Sequence, residues 1–143
     1  MPRKHDLMIS GSSNMSGTTK IRAVRQIQGM EMGSFQALWN GTPNGTFKVY
    51  GSNAFDPGGG DTGADLAAQI TTSFSYFGLT NGKWEDLTSL FTVVGTGSPI
   101  GAAGSSTFML FDAVMCFEWL CFEYTNASGT GSLVVHWHAK GPS

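Results

Sequence analysis

Residues 115–140 read MCFEWLCFEY (115–124), TNASGTGS (125–132) and LVVHWHAK (133–140), two alternating, aromatic-rich runs around a loop of Ser, Thr, Asn and Gly. Period-two alternation predicts two strands, Cys116 to Tyr124 and Leu133 to Lys140, joined as an antiparallel hairpin with one face buried. Side chains alternate across a strand, so Leu120, Phe122 and Tyr124 share one side while Trp119, Cys121 and Glu123 share the other. In the return strand Leu133, Val135, Trp137 and Ala139 form the apolar set that would pair with Leu120 and Phe122 as a core face. The opposite set, Glu123, His136, His138 and Lys140, suits solvent or a wet interface. Trp119 beside them is a large apolar group to leave in water and is a candidate contact.

The remaining chain extends this all-β reading. Ile21 to Gln28 alternates as a strand, and Ser34 to Trp39 and Thr46 to Tyr50 are short β-type runs separated by NGTPNG, which predicts a second hairpin. The stretch from Gly51 to Gly63 is too rich in Gly and Asp to pack as a strand. Thr62 followed by Asp65 resembles a capping box, which predicts one short helix over Ala64 to Ile70. Phe74 to Leu79, Leu87 to Val94 and Thr107 to Phe111 are further β segments. Residues 1–20 are polar and Gly/Ser-rich, with a short strand at Asp6 to Ile9, and read as an extended N-terminal arm. Residues 21–143 read as one β-sandwich domain.

Composition narrows the function. A chain of 143 residues is one domain, large enough to hide about two thirds of its unfolded surface in a single core. Charged residues are only 13%, about half the usual share, beside 41% hydrophobic residues and 20 glycines. A surface this short of charge suits a protein packed against other subunits. Residues 1–25 carry Arg3, Lys4, Lys20, Arg22 and Arg25 against Asp6, a local net of +4, which leaves −6 for the other 118 residues. Such an arm can meet an acidic protein surface. Five cations without interleaved aromatics are a weak signal for nucleic acid.

Cys116 and Cys121 point to opposite sides of one strand and cannot bridge each other, so they read as free thiols of a reducing compartment. The start MPRKHDLMIS has no long apolar core of a signal peptide, and Asp112 and Glu118 interrupt the longest apolar stretch, so no membrane span is expected. The sequons at Asn40, Asn44 and Asn126 read as turn residues. The Gly-x-Gly patterns at Gly95 and Gly129 do not sit between a strand and a helix and are loop glycines.

Catalytic and metal chemistry finds little support. His136 and His138, at i and i+2, share a strand face and could reach one metal ion with Glu123 as a third ligand, His5 being remote in the arm. Solvated or interface pairs of this kind are far commoner. Cys121 lies on the expected His-bearing face, but a thiol between Trp119 and Phe122 reads as a small buried hydrophobe. Asp112, Glu118 and Glu123 are not paired across a cleft as glycoside hydrolysis requires. Asp56, Asp61 and Asp65 do not follow EF-hand spacing. No catalytic residue, metal site or cofactor is assigned, and the chain is read as a non-enzyme.

The succession GTPNGTFKVYGSN, KWEDLTS and FEWLCFEYTNASGTGSLVVHWHAKG resembles small virion structural proteins of tailed bacteriophages, over residues 34–52 and 82–141. The resemblance rests on a strand ending in Gly-Ser-Asn, a Trp followed by an acidic residue and Leu, and a closing Tyr-Thr-x-x-Ser-Gly-Thr-Gly segment ending in Lys-Gly. Two departures stand out: Cys121 occupies a position commonly arginine, and the loop from Ala54 to Tyr76 is enlarged. The resemblance implies a jelly-roll-like antiparallel β-sandwich and a head decoration or cement protein. Such a protein is made in the host cytoplasm, sits on the capsid surface of the virion and binds the major capsid protein as a homo-oligomer.

The expected interface residues are Arg3, Lys4, Lys20, Arg22, Arg25, Trp119, His136 and His138. The alternative is a tail or fibre module that binds a receptor or carbohydrate, with Trp39, Trp84 and Trp119 as stacking platforms.

Overall fold

The structure, a computed structural model, describes residues 3–17, 20–27, 30–53, 74–76, 79–81, 84–110 and 117–141. Its strands are β1 (Arg3–Met15), β2 (Lys20–Gln26), β3 (Met32–Trp39), β4 (Asn44–Ser52), β5 (Phe74–Tyr76), β6 (Leu79–Asn81), β7 (Glu85–Asp86), β8 (Thr92–Gly95), β9 (Gly104–Leu110), β10 (Trp119–Ser128) and β11 (Gly131–Lys140), with a 3-10 turn at Thr88–Leu90. Two antiparallel sheets pack face to face as a β-sandwich. The first has the order β1-β11-β3-β9-β8 and the second β2-β10-β4-β7, while β5 and β6 form a separate ribbon. The pairing is nested: β1 lies against β11, β2 against β10, β3 against β9 and β4 against β7.

The sequence pattern identifies the correct buried side of the closing segment but not its partner. Leu120, Phe122 and Tyr124 of β10 and Leu133, Val135, Trp137 and Ala139 of β11 are all buried. They meet across the sandwich, because β10 belongs to the second sheet and β11 to the first. The TNASGTGS loop is therefore an arch between sheets, not a hairpin turn. The same correction applies to NGTPNG, since β3 and β4 also lie in different sheets. The two arches stack on each other: the Thr42 amide donates to the Thr130 carbonyl at 2.8 Å, and the Ser132 amide donates to Asn40 Oδ1 at 2.8 Å.

Phe122 is the centre of the core. Its ring lies 5.1 Å from Phe35 and 5.7 Å from Phe108 of the opposite sheet, and 5.1 Å from Phe47 of its own. Tilted and edge-on contacts of this kind suit the ring quadrupoles and add to the burial of apolar area. At the sandwich edge, Asp6 of β1 and Arg25 of β2 form an ion pair that ties one sheet to the other.

The expected arm is corrected by β1. Arg3–Met15 is a strand of the first sheet, and Met8, Ile9 and Met15 are buried. Its ladder to β11 shifts register between Leu7 and Ile9 and again between Ser10 and Asn14. Such bulges leave an extra residue unopposed. They break the alternation that would have revealed a long strand. The helix expected over 64–70, the acidic loop residues Asp56, Asp61 and Asp65, and Cys116 lie outside the described residues.

Gly129 holds φ at 75°, and a Cβ there would collide with the Thr42 carbonyl oxygen. Gly97 has a similar φ of 80° with nothing within 4 Å. Gly129→Ala is therefore expected to cost about 3 kcal/mol or more, and Gly97→Ala only about 1 kcal/mol, the backbone part alone. Urea unfolding of the two variants checks the arch contact; equal losses would contradict it.

Candidate functional site

The sandwich presents two outer faces of opposite chemistry. On the second sheet, odd-numbered β10 residues point outward. There Arg22 Nε donates to Glu123 Oε2 at 2.6 Å, Tyr50 Oη donates to Glu123 Oε1 at 3.4 Å, and Lys48 stands 3.9 Å from Asp86. Glu123 is 2% exposed, so this carboxylate is buried with its cation. Tyr50 is pushed up to about 12 by burial and by the Glu123 charge. Cys121, fully buried beside them, is also pushed up to about 12, first by burial and then by Glu123. A thiol held neutral in this way is not a nucleophile at neutral pH.

The first sheet's outer face is built from five strands in register. His5, His138, Ser34, Met109 and Thr92 form one cross-strand row, and Leu7, His136, Gln36, Thr107 and Val94 the next. The His5 and His136 rings stack at 5.7 Å with 7° between their planes. Together with Ser34, Gln36, Thr107 and His138 they line a shallow depression of about 400 Å³. A second hollow of about 250 Å³ adjoins it, lined in part by Met32, Met109, His138 and Lys140. Leu7, Met32, Leu38 and Val94 stand on this face with 38–56% of their surface exposed. No carboxylate lies on it among the described residues.

The expected interface residues therefore separate. His136 and His138 lie on the outer face of the first sheet. Trp119, Arg22 and Glu123 belong to the outer face of the second, so Trp119 does not anchor the histidine pair. Glu123 cannot complete a metal site with His136 and His138, because the whole core intervenes, and Cys121 likewise is not on the histidine face. Among the described residues no group of three or more His, Cys, Asp or Glu is placed to hold a metal ion.

The basic set is also divided. Arg22 is paired with Glu123 and Arg25 with Asp6, whereas Lys20 is exposed opposite Thr125. Arg3 and Lys4 begin β1 opposite Lys140 and Ala139, and their side chains lie outside the described set. His5, remote by sequence, is brought opposite His138 by the β1–β11 ladder. Ser34, Gln36, Thr107 and the exposed Leu7, Leu38 and Val94 are the face residues that sequence reading did not single out. Alternation along β3 was the available signal. Trp39 and Trp84 are buried, and Trp39 Nε1 donates to the Ala102 carbonyl at 2.8 Å, so neither offers a stacking platform.

The chain matches no family model, no curated protein and no solved structure.

Removing one partner of a buried ion pair strands the other charge. Arg22→Ala is thus expected to cost about 3 kcal/mol, while the double change Arg22→Met with Glu123→Leu recovers most of it. Denaturant midpoints of the two variants test this; equal loss in both would show that the ion pair is not the source. The buried thiol gives a pH prediction. In the unfolded chain Cys121 releases its proton from an ordinary 9.0, but in the fold only near 12. Its contribution to stability is full below pH 9.0 and is lost as pH rises toward 12. Cys121→Ala should flatten that alkaline decline in melting temperature, and iodoacetamide should leave Cys121 of the folded protein unlabelled at neutral pH by peptide mapping.

Proposed function

We propose that the chain is a structural subunit of a phage particle, a decoration or cement protein that binds the outer head lattice through the outer face of its first sheet. The observation that carries this reading is the face itself: five strands wide, free of carboxylates among the described residues, with Leu7, Met32, Leu38 and Val94 exposed on it. Covering it removes apolar area from water at about 25 cal/mol per Å² and strands few charges. A lattice multiplies such a contact by symmetry, so the subunit needs no deep pocket.

The pairing of first strand with last, second with second-last and third with third-last is the kind a jelly roll has, which supports the fold side of the reading. The resemblance to small virion proteins of tailed phages supports the same assignment, with the major capsid protein as partner and the virion surface as location. The glycan-binding alternative loses two of its three tryptophans to the interior.

The test is reconstitution on particles that lack the protein. Wild type is expected to bind and to raise resistance to heat and osmotic shock. Leu38→Lys and His138→Asp, both at partly or fully exposed positions, should fold normally and fail to bind. Unchanged resistance with wild type, or full binding by both variants, would overturn the assignment.

A further inference from the structure

The two sheets have four edges, and three of them carry devices that block pairing with another strand. The β1 edge is broken by two register shifts and bears Asp6, engaged with Arg25. The β2 edge carries Lys20, Arg22 and Arg25 within seven residues. The β7 edge is two residues long, and both are acidic. Charges, bulges and very short strands are the usual protection of a sheet edge.

The fourth edge, β8, has little of this. Thr92–Gly95 carries no charge and no proline, pairs with β9 without a register shift, and is exposed at all four positions. Val93 is 43% and Val94 56% exposed, and Leu90 just before the strand is 59% exposed.

The ladder also fixes which backbone groups of β8 are left unused by β9. The Thr96 amide donates to the Ser105 carbonyl at 3.0 Å, and hydrogen-bonded pairs alternate along an antiparallel ladder. Counting back through the register, Val94 with Thr107 and Thr92 with Met109 are bonded pairs. The N–H and C=O of Val93 therefore point away from β9, toward an edge that no other described strand pairs with.

We propose that β8 pairs antiparallel with β8 of a second copy of this chain, about a two-fold axis passing beside Val93. There each Val93 donates its N–H to the other's carbonyl, and the five-stranded sheet becomes a continuous sheet of ten strands. The second copy is the occupant because the edge is self-complementary. A two-fold axis normal to the sheet sets each Val93 donor against an identical acceptor, keeps both core faces on the same side, and opposes no like charges. A charged or bulged strand would bring groups that β8 cannot answer. The contact is short, so the dimer is weak and rises with concentration. It is independent of the outer-face reading above: Leu38→Lys abolishes lattice binding and leaves this dimer intact.

Sedimentation equilibrium of the full chain across a wide concentration range tests the proposal, with amide hydrogen exchange at both extremes. Wild type is expected to dimerise and to protect the Val93 amide only at high concentration. Val93→Pro removes the outward N–H while sparing the bonds to β9, and Val94→Lys adds a charge beside the edge. Each should weaken the dimer roughly tenfold or more with the melting temperature nearly unchanged. Should the proline variant misfold, the lysine variant and the Val93 exchange pattern decide. A chain that stays monomeric to its solubility limit, or a dimer that leaves the Val93 amide unprotected and ignores Val94→Lys, overturns the proposal.

Discussion

Two loop backbones cross in direct contact where Asn40–Pro43 meets Gly129–Gly131, and the arrangement of both sheets follows from that crossing. One arch carries the chain from β3 to β4 and the other from β10 to β11. Hydrogen bonds between them, from Thr42 to Thr130 and between Asn40 and Ser132, hold the arches one on the other. Their stacking obliges β3 to lie beside β11 in one sheet and β4 beside β10 in the other. The central pair of each sheet is thereby set. A side chain at Gly41, Gly129 or Gly131 would hold the loops apart, since a Cβ at each would strike the other arch. Asn126 locks the assembly from within: it is buried, accepts from Tyr124 Oη at 2.7 Å and donates to the carbonyls of Gly17 and Gly129.

Glycine serves a second purpose at three packed positions. The Trp137 ring lies over Gly33, the Tyr124 ring over Gly45 and the Trp39 ring over Gly104, each in the space a Cβ would need. Large rings can then approach neighbouring backbone more closely than a side chain there would allow. This lets a core rich in Phe and Trp fit between sheets only about 10 Å apart.

What the sequence disclosed, and what it withheld, follows the physics of a strand. Alternation reports which side of a residue run is apolar, and for Leu120, Phe122, Leu133, Val135 and Trp137 that reading matches the buried core. Alternation says nothing about which strand lies alongside. Asn, Gly and Pro favour an arch as readily as a tight hairpin, so both turn-rich loops read as hairpins although each crosses between sheets. Glu123 read as solvent-facing because it is charged and out of phase with the core. It is buried nonetheless, because β10 is a central strand whose outer side is covered by Arg22 and Tyr50. The histidine face was half legible: His136 and His138 share a side by parity, but His5 joins them only through pairing between opposite ends of the chain.

The two outer faces differ in what it would cost to cover them, and this gives the molecule a direction. On the second sheet Arg22, Glu123, Lys48 and Asp86 have already found partners within the chain. A docking surface there would have to desolvate those groups again with little new pairing to gain. On the first sheet the polar groups are hydroxyls, an amide, imidazoles and the single ammonium of Lys140, which another protein surface can satisfy with few charged partners, and Leu7, Met32, Leu38 and Val94 lose contact with water when covered. The same sheet ends at the uncharged edge β8. Face and edge are perpendicular to each other, so lateral contact between copies at β8 and contact with a surface beneath the sheet can form together without competing for the same atoms. One outer face thus has its charges paired within the chain, the other leaves apolar side chains in water, and the edge at β8 lies at right angles to both.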